Sequence, residues 1–567
     1  MQFNLFNQIG DRNPQLLREL KGRLQPRNIL LAIAISVFGQ FLLFTNFQIQ
    51  LPISDLISNG FTHKYCTGAE KYGYYTCLRD AFDHVIINWE LWAQDIFISL
   101  SSIVCFTLLV AGCYLLISDL ANEQKRGTLN FIRLSPQSSQ SILLGKILGV
   151  PILLYLVIIL TIPLHLWSGL AANIPLVSIF TFYAVLGITS VFYYSAALLF
   201  GLVGSWLGGF QPWLGSGVVL VFISVTHNLF FQEIPNEYPL VILRLFNPAN
   251  LIPQVKFGFD NFHWFAFPVG ENFFTIMGFS LLVNMLGIYG IWQSLQRCFI
   301  DSHANILSKR QSYLLTSGFV FITIGCANWQ KLVWENSPTK YLLSENIACL
   351  LFLYFGLFLY LIAALNPHRQ TLQDWARYRR IYAAQKHGYG SLIQDLIWSE
   401  KSPGLLAIAI NMMIPLLALS LLTLLSHVSF TQKLSIIPTL VLGASLIILY
   451  AALTQLVLLI KNQNRVFWAA GVVSAAIILP LIIAAMFYSY SSNNSFLWLF
   501  SIVAPISVMS PEGKSLSAMT LLTAIFSYWT VSGLLIFQLT RRLRKIGESA
   551  TKALSSQTSH FSQKSES

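Results

Sequence analysis

The chain has 567 residues, enough for several water-soluble domains, yet 55% are hydrophobic, only 10% are charged and the mean hydropathy is +0.62. A soluble surface needs about a quarter of residues charged, so soluble, disordered, collagen-like and disulfide-scaffold classes are excluded together. What remains is a polytopic membrane protein with a net charge of +12.

Residues 1–27 are polar and carry Arg12, Arg18, Lys21, Arg23 and Arg27. This is too long a leader for a cleavable signal peptide, so the first apolar run is expected to stay as an anchor. Crossing about 30 Å of hydrocarbon takes about 20 apolar residues. Such runs lie near 28–47, 96–118, 147–167, 176–203, 214–232 and 272–293. A second set lies near 311–330, 346–365, 404–426, 434–460, 466–489 and 516–540. The run 311–330 is the weakest, diluted by Thr316, Ser317, Gly318 and Asn328. Backbone groups in lipid must pair within their own segment, so these runs are helices; alternating barrel strands are absent. The expected fold is all-α, with about twelve transmembrane helices.

Twelve crossings put both termini on one side. The segments that then share that side, 1–27, 119–146, 294–310, 366–403, 461–465 and 541–567, hold 26 Lys/Arg against 10 Asp/Glu. The remainder holds 9 against 13, giving +16 on one side and −4 on the other. Cytoplasmic loops are the Lys/Arg-rich ones, so a multi-pass protein of the cell (inner) membrane with both termini cytoplasmic is expected. A full crossing by 495–511 would move Arg541, Arg542, Arg544 and Lys545 outside. That stretch therefore reads as a re-entrant or interfacial hairpin, and the Ser-rich residues 546–567 as a disordered cytoplasmic tail.

Of seven cysteines, Cys105, Cys113, Cys326 and Cys349 lie in or beside spans as small apolar fillers, and Cys298 lies in an inward loop. Cys66 and Cys77 share the outward loop 48–93, where an oxidising exterior permits a structural disulfide.

The chain reads as two parallel halves of six spans, 1–310 and 311–545. Each has its long inward loop between the second and third span. Phe246-Asn247-Pro248-Ala249-Asn250-Leu251-Ile252-Pro253 precedes the last span of the first half, and Ala504-Pro505-Ile506-Ser507-Val508-Met509-Ser510-Pro511 that of the second. Matching residues are few, so the repeat is a matter of topology.

The most informative segment is the inward loop Asp119–Lys146. Leu129, Phe131, Ile132 and Leu134 alternate with charges at Glu123, Lys125, Arg126 and Arg133, a composition suited to an element in the membrane interface with one side facing a cytosolic partner. Ser135-Pro136 reads as a helix start, a capping hydroxyl followed by the residue tolerated at the first helical position. Taken alone, the segment reads first as an ordinary positive-inside loop.

The order Glu123, Gly127-Thr128-Leu129, Ser135-Pro136, Gly145-Lys146 between the second and third spans resembles the permease subunits of ATP-binding-cassette (ABC) transporters of the type-2 exporter class. The resemblance is specific over about 119–170 and topological over 1–310. It implies that Glu123, Arg126, Gly127, Thr128, Leu129, Ser135, Pro136, Gly145 and Lys146 form coupling elements contacting an ATP-binding-cassette ATPase subunit. The second half departs from the pattern. Its loop 366–403 lacks Gly-Thr-Leu and offers the basic run Asp374 to Tyr382, then Asp395, Glu400, Ser402 and Pro403 as coupling candidates. It would dock a second ATPase if the halves form a fused pseudo-dimer; a homodimer, or a regulatory or scaffolding half, are the other possibilities.

A phosphate-binding loop needs Gly, four residues, Gly-Lys and Ser/Thr. Gly513-Lys514-Ser515 has Val508 where the first glycine belongs, and Gly145-Lys146 is followed by Ile147. ATP and magnesium are therefore expected on a partner subunit, with no cofactor bound here, no metal site, no enzymatic activity and no nucleic-acid partner. None of the ten His forms a metal pair at helical spacing; His165 and His227 read as satisfied polar residues. The twelve spans contain no Asp, Glu, Lys or Arg, which argues against a proton- or ion-coupled carrier. The expected function is a permease exporting a substrate; the alternatives are a membrane scaffold or assembly factor and, less favoured, a lipid transferase.

Overall fold

The computed structural model describes residues 8, 10–52, 62–71, 73–80, 82, 84–227, 238–253, 259–301, 303–334, 341–384, 389–462, 464–488, 494–509 and 518–565. The protein is all-α, 81% helical. Among the described residues, ten stretches are long and apolar enough to cross a membrane, which makes it a multi-pass membrane protein. The chain forms two compact units: residues 1–236, 241–262 and 269–300, and residues 237–240, 263–268 and 301–567.

In the first unit, α1 (Pro14–Arg23) is a short amphipathic helix begun by Asn13, whose Oδ1 accepts from the Leu16 amide, with Pro14 at the tolerated first position. Helix α2 (Pro26–Ile49) follows. The loop between α2 and the next long helix carries a three-stranded antiparallel sheet of β1 (Thr62–His63), β2 (Glu70–Lys71) and β3 (Tyr74–Thr76), with β3 central. A disulfide joins Cys66 and Cys77 beside it. The next crossing is α3 (Trp89–Phe106), a π-turn at Thr107–Ala111 and α4 (Gly112–Lys125) in one continuous rod. The Leu108 carbonyl accepts a hydrogen bond from the Tyr194 hydroxyl at 2.8 Å.

Two short helices, α5 (Thr128–Arg133) and α6 (Ser139–Gly149), precede α7 (Ile152–Ala171). The run expected at 147–167 is thus divided: Pro151 precedes α7 and its first five residues belong to α6 or the break. Helices α8 (Leu176–Val203) and α9 (Gln211–His227) form one apolar stretch broken by a 3-10 turn at Gly204–Phe210. The 3-10 turns at Pro239–Phe246 and Pro248–Leu251 cover the Phe-Asn-Pro-Ala-Asn segment, and α10 (Phe273–Ile300) completes the unit. Asn247 and Asn250 donate to the Ile223 and Thr226 carbonyls in the last turns of α9, tying the segment to that helix.

In the second unit, α11 (Lys309–Gly325) opens with a Ser308–Gln311 capping box and has only 17 residues. The run 311–330 therefore continues past its helix into a turn and a π segment at Gln330–Trp334. Helices α12 (Leu342–Leu365), α13 (Arg369–Ala384) and α14 (Tyr389–Trp398) follow, then α15 (Leu405–Leu425), α16 (Phe430–Leu458) and α17 (Arg465–Tyr488). Thr316, Asn411 and Ser312 hydrogen-bond between α11 and α15 within the apolar core. The segment 494–509 forms a 3-10 turn at Asn494–Phe500 and α18 (Ala504–Met509), neither long enough to cross. Leu499, Ala504 and Val508 are buried, and the Tyr528 hydroxyl donates to the Leu499 carbonyl at 2.9 Å.

The last helix, α19 (Ala518–Ser565), runs through the residues expected to be a disordered tail. Beyond Pro511 the chain has no proline, and within α19 the only glycines are Gly533 and Gly547, too few to break the helix.

Candidate functional site

In the loop 119–146, α4 ends at Lys125 and Gly127 turns the chain with φ 70° and ψ 2°. This left-handed conformation suits glycine, and it aims α5 away from the axis of α4. The Thr128 hydroxyl donates back to the Glu123 carbonyl at 3.3 Å. Leu129 and Ile132 on α5 are buried, whereas Phe131 and Leu134 are 77% and 84% exposed. Arg133 lies over the Phe299 ring and donates to the Cys298 carbonyl, tying α5 to the end of α10.

Ser135 and Pro136 do not begin a helix. The Ser135 hydroxyl donates to the Ile132 carbonyl at 2.7 Å, closing α5, and Ser138 is the N-cap of α6, accepting from the Ser141 amide. Of Ser135 and Ser138, the one at the correct distance from the first free amides takes the cap.

Below α5 the structure gathers six charged side chains. Lys146 is fully buried, its Nζ 2.7 Å from Asp119 Oδ2 and 2.7 Å from Glu123 Oε2. The latter is an ion contact without an aligned hydrogen bond. Arg18 Nη2 is 2.5 Å from Glu123 Oε1, Arg23 Nη2 is 2.7 Å from Asp119 Oδ1, and both arginines lie 3.2 Å from Glu19. Three carboxylates thus meet three cations from α1, α4 and α6. The Glu19, Asp119 and Glu123 oxygens come close enough together to suggest a cation site, but the Lys146 ammonium already supplies the positive charge between two of them.

Helix α1 reaches this cluster because α6 presents glycines to it. A Cβ on Gly145 would stand 2.9 Å from the Leu16 backbone nitrogen, and one on Gly149 2.5 Å from the Glu19 Cβ. Asn13 Nδ2 also donates to the Ser141 carbonyl at 2.8 Å. Glu123, Gly127, Thr128, Leu129, Gly145 and Lys146 therefore converge, while Arg126 is exposed and Pro136 lies on an exposed turn. Arg18, Glu19 and Arg23 were missed as site residues. Asn13-Pro14 followed by Leu16, Leu17, Leu20 and Leu24 was the sequence signal for their helix.

The candidates of the second half form a different arrangement. Lys309 Nζ is buried and donates to the Leu396 carbonyl and Ser402 Oγ at 2.6 Å each, and to the Pro403 carbonyl at 3.2 Å. Ser402 Oγ in turn reaches the Asp395 and Ser399 carbonyls. The Asp395 carboxylate pairs with Arg379 at 3.2 Å, and the Glu400 carbonyl accepts from Asn305. Burial pushes the Lys309 ammonium down to about 8, against the opposing pull of Asp395 and Glu400. Segment 395–403 is thereby stapled to the start of α11, a role for Lys309 that the loop's own sequence did not disclose.

His165 belongs to a closed polar chain within the spans. Ser101 donates to the Phe97 carbonyl at 2.7 Å, which leaves its oxygen to accept from His165 Nε2 at 2.6 Å; His165 Nδ1 then accepts from Tyr183 at 2.7 Å. Both ring nitrogens thus have a hydroxyl partner, as for a satisfied core histidine. Gly513, Lys514 and Ser515 lie outside the described residues.

Searches against known protein families, curated proteins and solved structures find no match to this chain. The class that the fold defines is a polytopic all-α membrane protein.

Proposed function

We propose that the chain is the membrane-spanning permease subunit of an ABC exporter, driven by separate ATPase subunits that carry the ATP and magnesium. The observation that supports this best is α5, a short helix hung on Gly127 at the end of the long second crossing, exposing Phe131 and Leu134. Two large apolar side chains held outward beside basic residues suit a protein partner. In this reading, twelve helices form two six-helix halves with both termini cytoplasmic. Closure of the ATPase pair displaces α5. Because Lys146, Asp119, Glu123 and the arginines of α1 join α1, α4 and α6, the displacement moves the second and third crossings together. Spans without fixed charge suit an amphiphilic or lipidic cargo.

The alternative, a scaffold without transport, is favoured by the stapling of 395–403 through Lys309, which leaves the second half's loop less free to couple. The decisive experiment is affinity purification of the tagged protein from its native membranes. Wild type should bring down an ATP-binding-cassette ATPase, and Phe131→Asp with Leu134→Asp should lose it at unchanged membrane abundance. Wild-type protein that captures no such ATPase would defeat the reading. Export lost in Glu123→Ala at normal abundance separates permease from scaffold.

A further inference from the structure

From Ile147 to Gln232 the sequence contains no Asp, Glu, Lys or Arg. The turn between α8 and α9 falls inside this stretch, so it carries no charge of its own; glycines and aromatics make up most of it, with Ser205 and Leu207 between them. Its rings are prominent: Trp206 is 43%, Phe210 60% and Trp213 64% exposed. The turn is also well fixed. Gln211 Nε2 donates to the Phe200 and Gly201 carbonyls at 2.8 and 2.9 Å, Gln124 donates to the Gly201 carbonyl, and Tyr114 packs edge-on against Trp213.

The positive charge this turn lacks is supplied by α4. Lys125 Nζ lies 3.8 Å from the position a Cβ on Gly209 would take, and Arg126 follows it. Both are exposed, and among the described residues neither pairs with a carboxylate; the nearby Asp119 and Glu123 are already neutralised by Lys146, Arg18 and Arg23. Exposed indoles settle at the boundary between headgroups and acyl chains, and unpaired cations at that depth attract anionic lipid.

We propose that Lys125, Arg126 and the turn 204–213 bind an anionic phospholipid of the cytoplasmic leaflet. The phosphate is held by the two cations, and the upper acyl chain lies against Trp206, Phe210 and Trp213. The site adjoins Gly127, so an occupied site holds the end of α4 at a fixed depth in the membrane. The side of the membrane rests on the Lys/Arg distribution; the binding itself requires no ATPase.

The test is native mass spectrometry of the delipidated full-length protein in detergent, titrated with phosphatidylglycerol or phosphatidylcholine of matched chains. Wild type should take up phosphatidylglycerol first. Lys125→Gln should weaken that step about fivefold, the value expected for one lysine near a charged surface, leaving phosphatidylcholine binding unchanged. Lys125→Arg should keep it, and Lys461→Gln, in the second unit, should not affect it. A photoactivatable phosphatidylglycerol should label the 204–213 peptide. Equal uptake of both lipids by wild type, undiminished phosphatidylglycerol binding in folded Lys125→Gln, or labelling confined to other peptides would each overturn the proposal.

Discussion

Gly127 shows how one residue sets the direction of an element. Nothing lies within 4 Å of the position its Cβ would take, so substitution there acts through the backbone alone. Gly127→Ala should cost about 1–2 kcal/mol, and Gly127→Asn less, since asparagine tolerates the left-handed region; unfolding midpoints of the purified variants in detergent will show the order. Lys146 acts through charge instead. Removing it leaves Asp119 and Glu123 facing each other in a buried setting, and Lys146→Ala should cost about 3–5 kcal/mol. The same variant should release α1, which trypsin would report as new cleavage after Arg18 and Arg23. Adding Glu123→Gln should recover part of the loss, whereas a solvated surface pair would show little coupling.

Elements whose pattern is local were legible in the sequence. The long apolar runs became helices because burial in lipid leaves the backbone no other partner, and the Cys66–Cys77 pair stands 11 residues apart in one loop. Meetings between distant segments were not legible. Glu123 and Arg18 are 105 residues apart, and Lys309 and Ser402 93; no periodicity joins such pairs. The start of α6 was misplaced for a finer reason. Ser135-Pro136 has the composition of a cap, but its hydroxyl is spent on the preceding turn, and only the three-dimensional path shows that Ser138 is the residue facing free amides.

The staple around Lys309 adds a pH signature to the second unit. Its folded pKa lies below the usual lysine value, so the unfolded chain binds the extra proton between about pH 8 and 10.5. Stability must rise with pH across that window; below it the cost of burying the ammonium is present in full and does not change with pH. Relative to Lys309→Met, the wild-type unfolding midpoint should therefore climb between pH 8 and 10; a constant difference would show that burial does not depress the ammonium.

For the whole molecule, the composition fixed the solvent, and the placement of charge implies an orientation. A green fluorescent protein fused after Ser567 should fluoresce and an alkaline phosphatase there should be inactive, while the phosphatase inserted within residues 72–73 should be active. The opposite pattern would invert every sidedness drawn from the Lys/Arg count. The two units also treat the loops 119–146 and 366–403 differently. The first ends its second long helix in a glycine turn followed by exposed Phe131 and Leu134, and the second closes its loop over a buried lysine.

The π-turn at Thr107–Ala111 has a consequence at the far end of its rod. A π-turn holds one residue more than the α-turn it replaces, and each helical residue advances the screw by about 100°. Asp119 and Glu123, two to four turns further on, face Lys146 in this phase. Deleting one residue from the π-turn would straighten the helix and swing both carboxylates by about a quarter of a revolution, away from their cations. The membrane-embedded middle of the rod thus acts as a phase-setting gear for the ion cluster at its end.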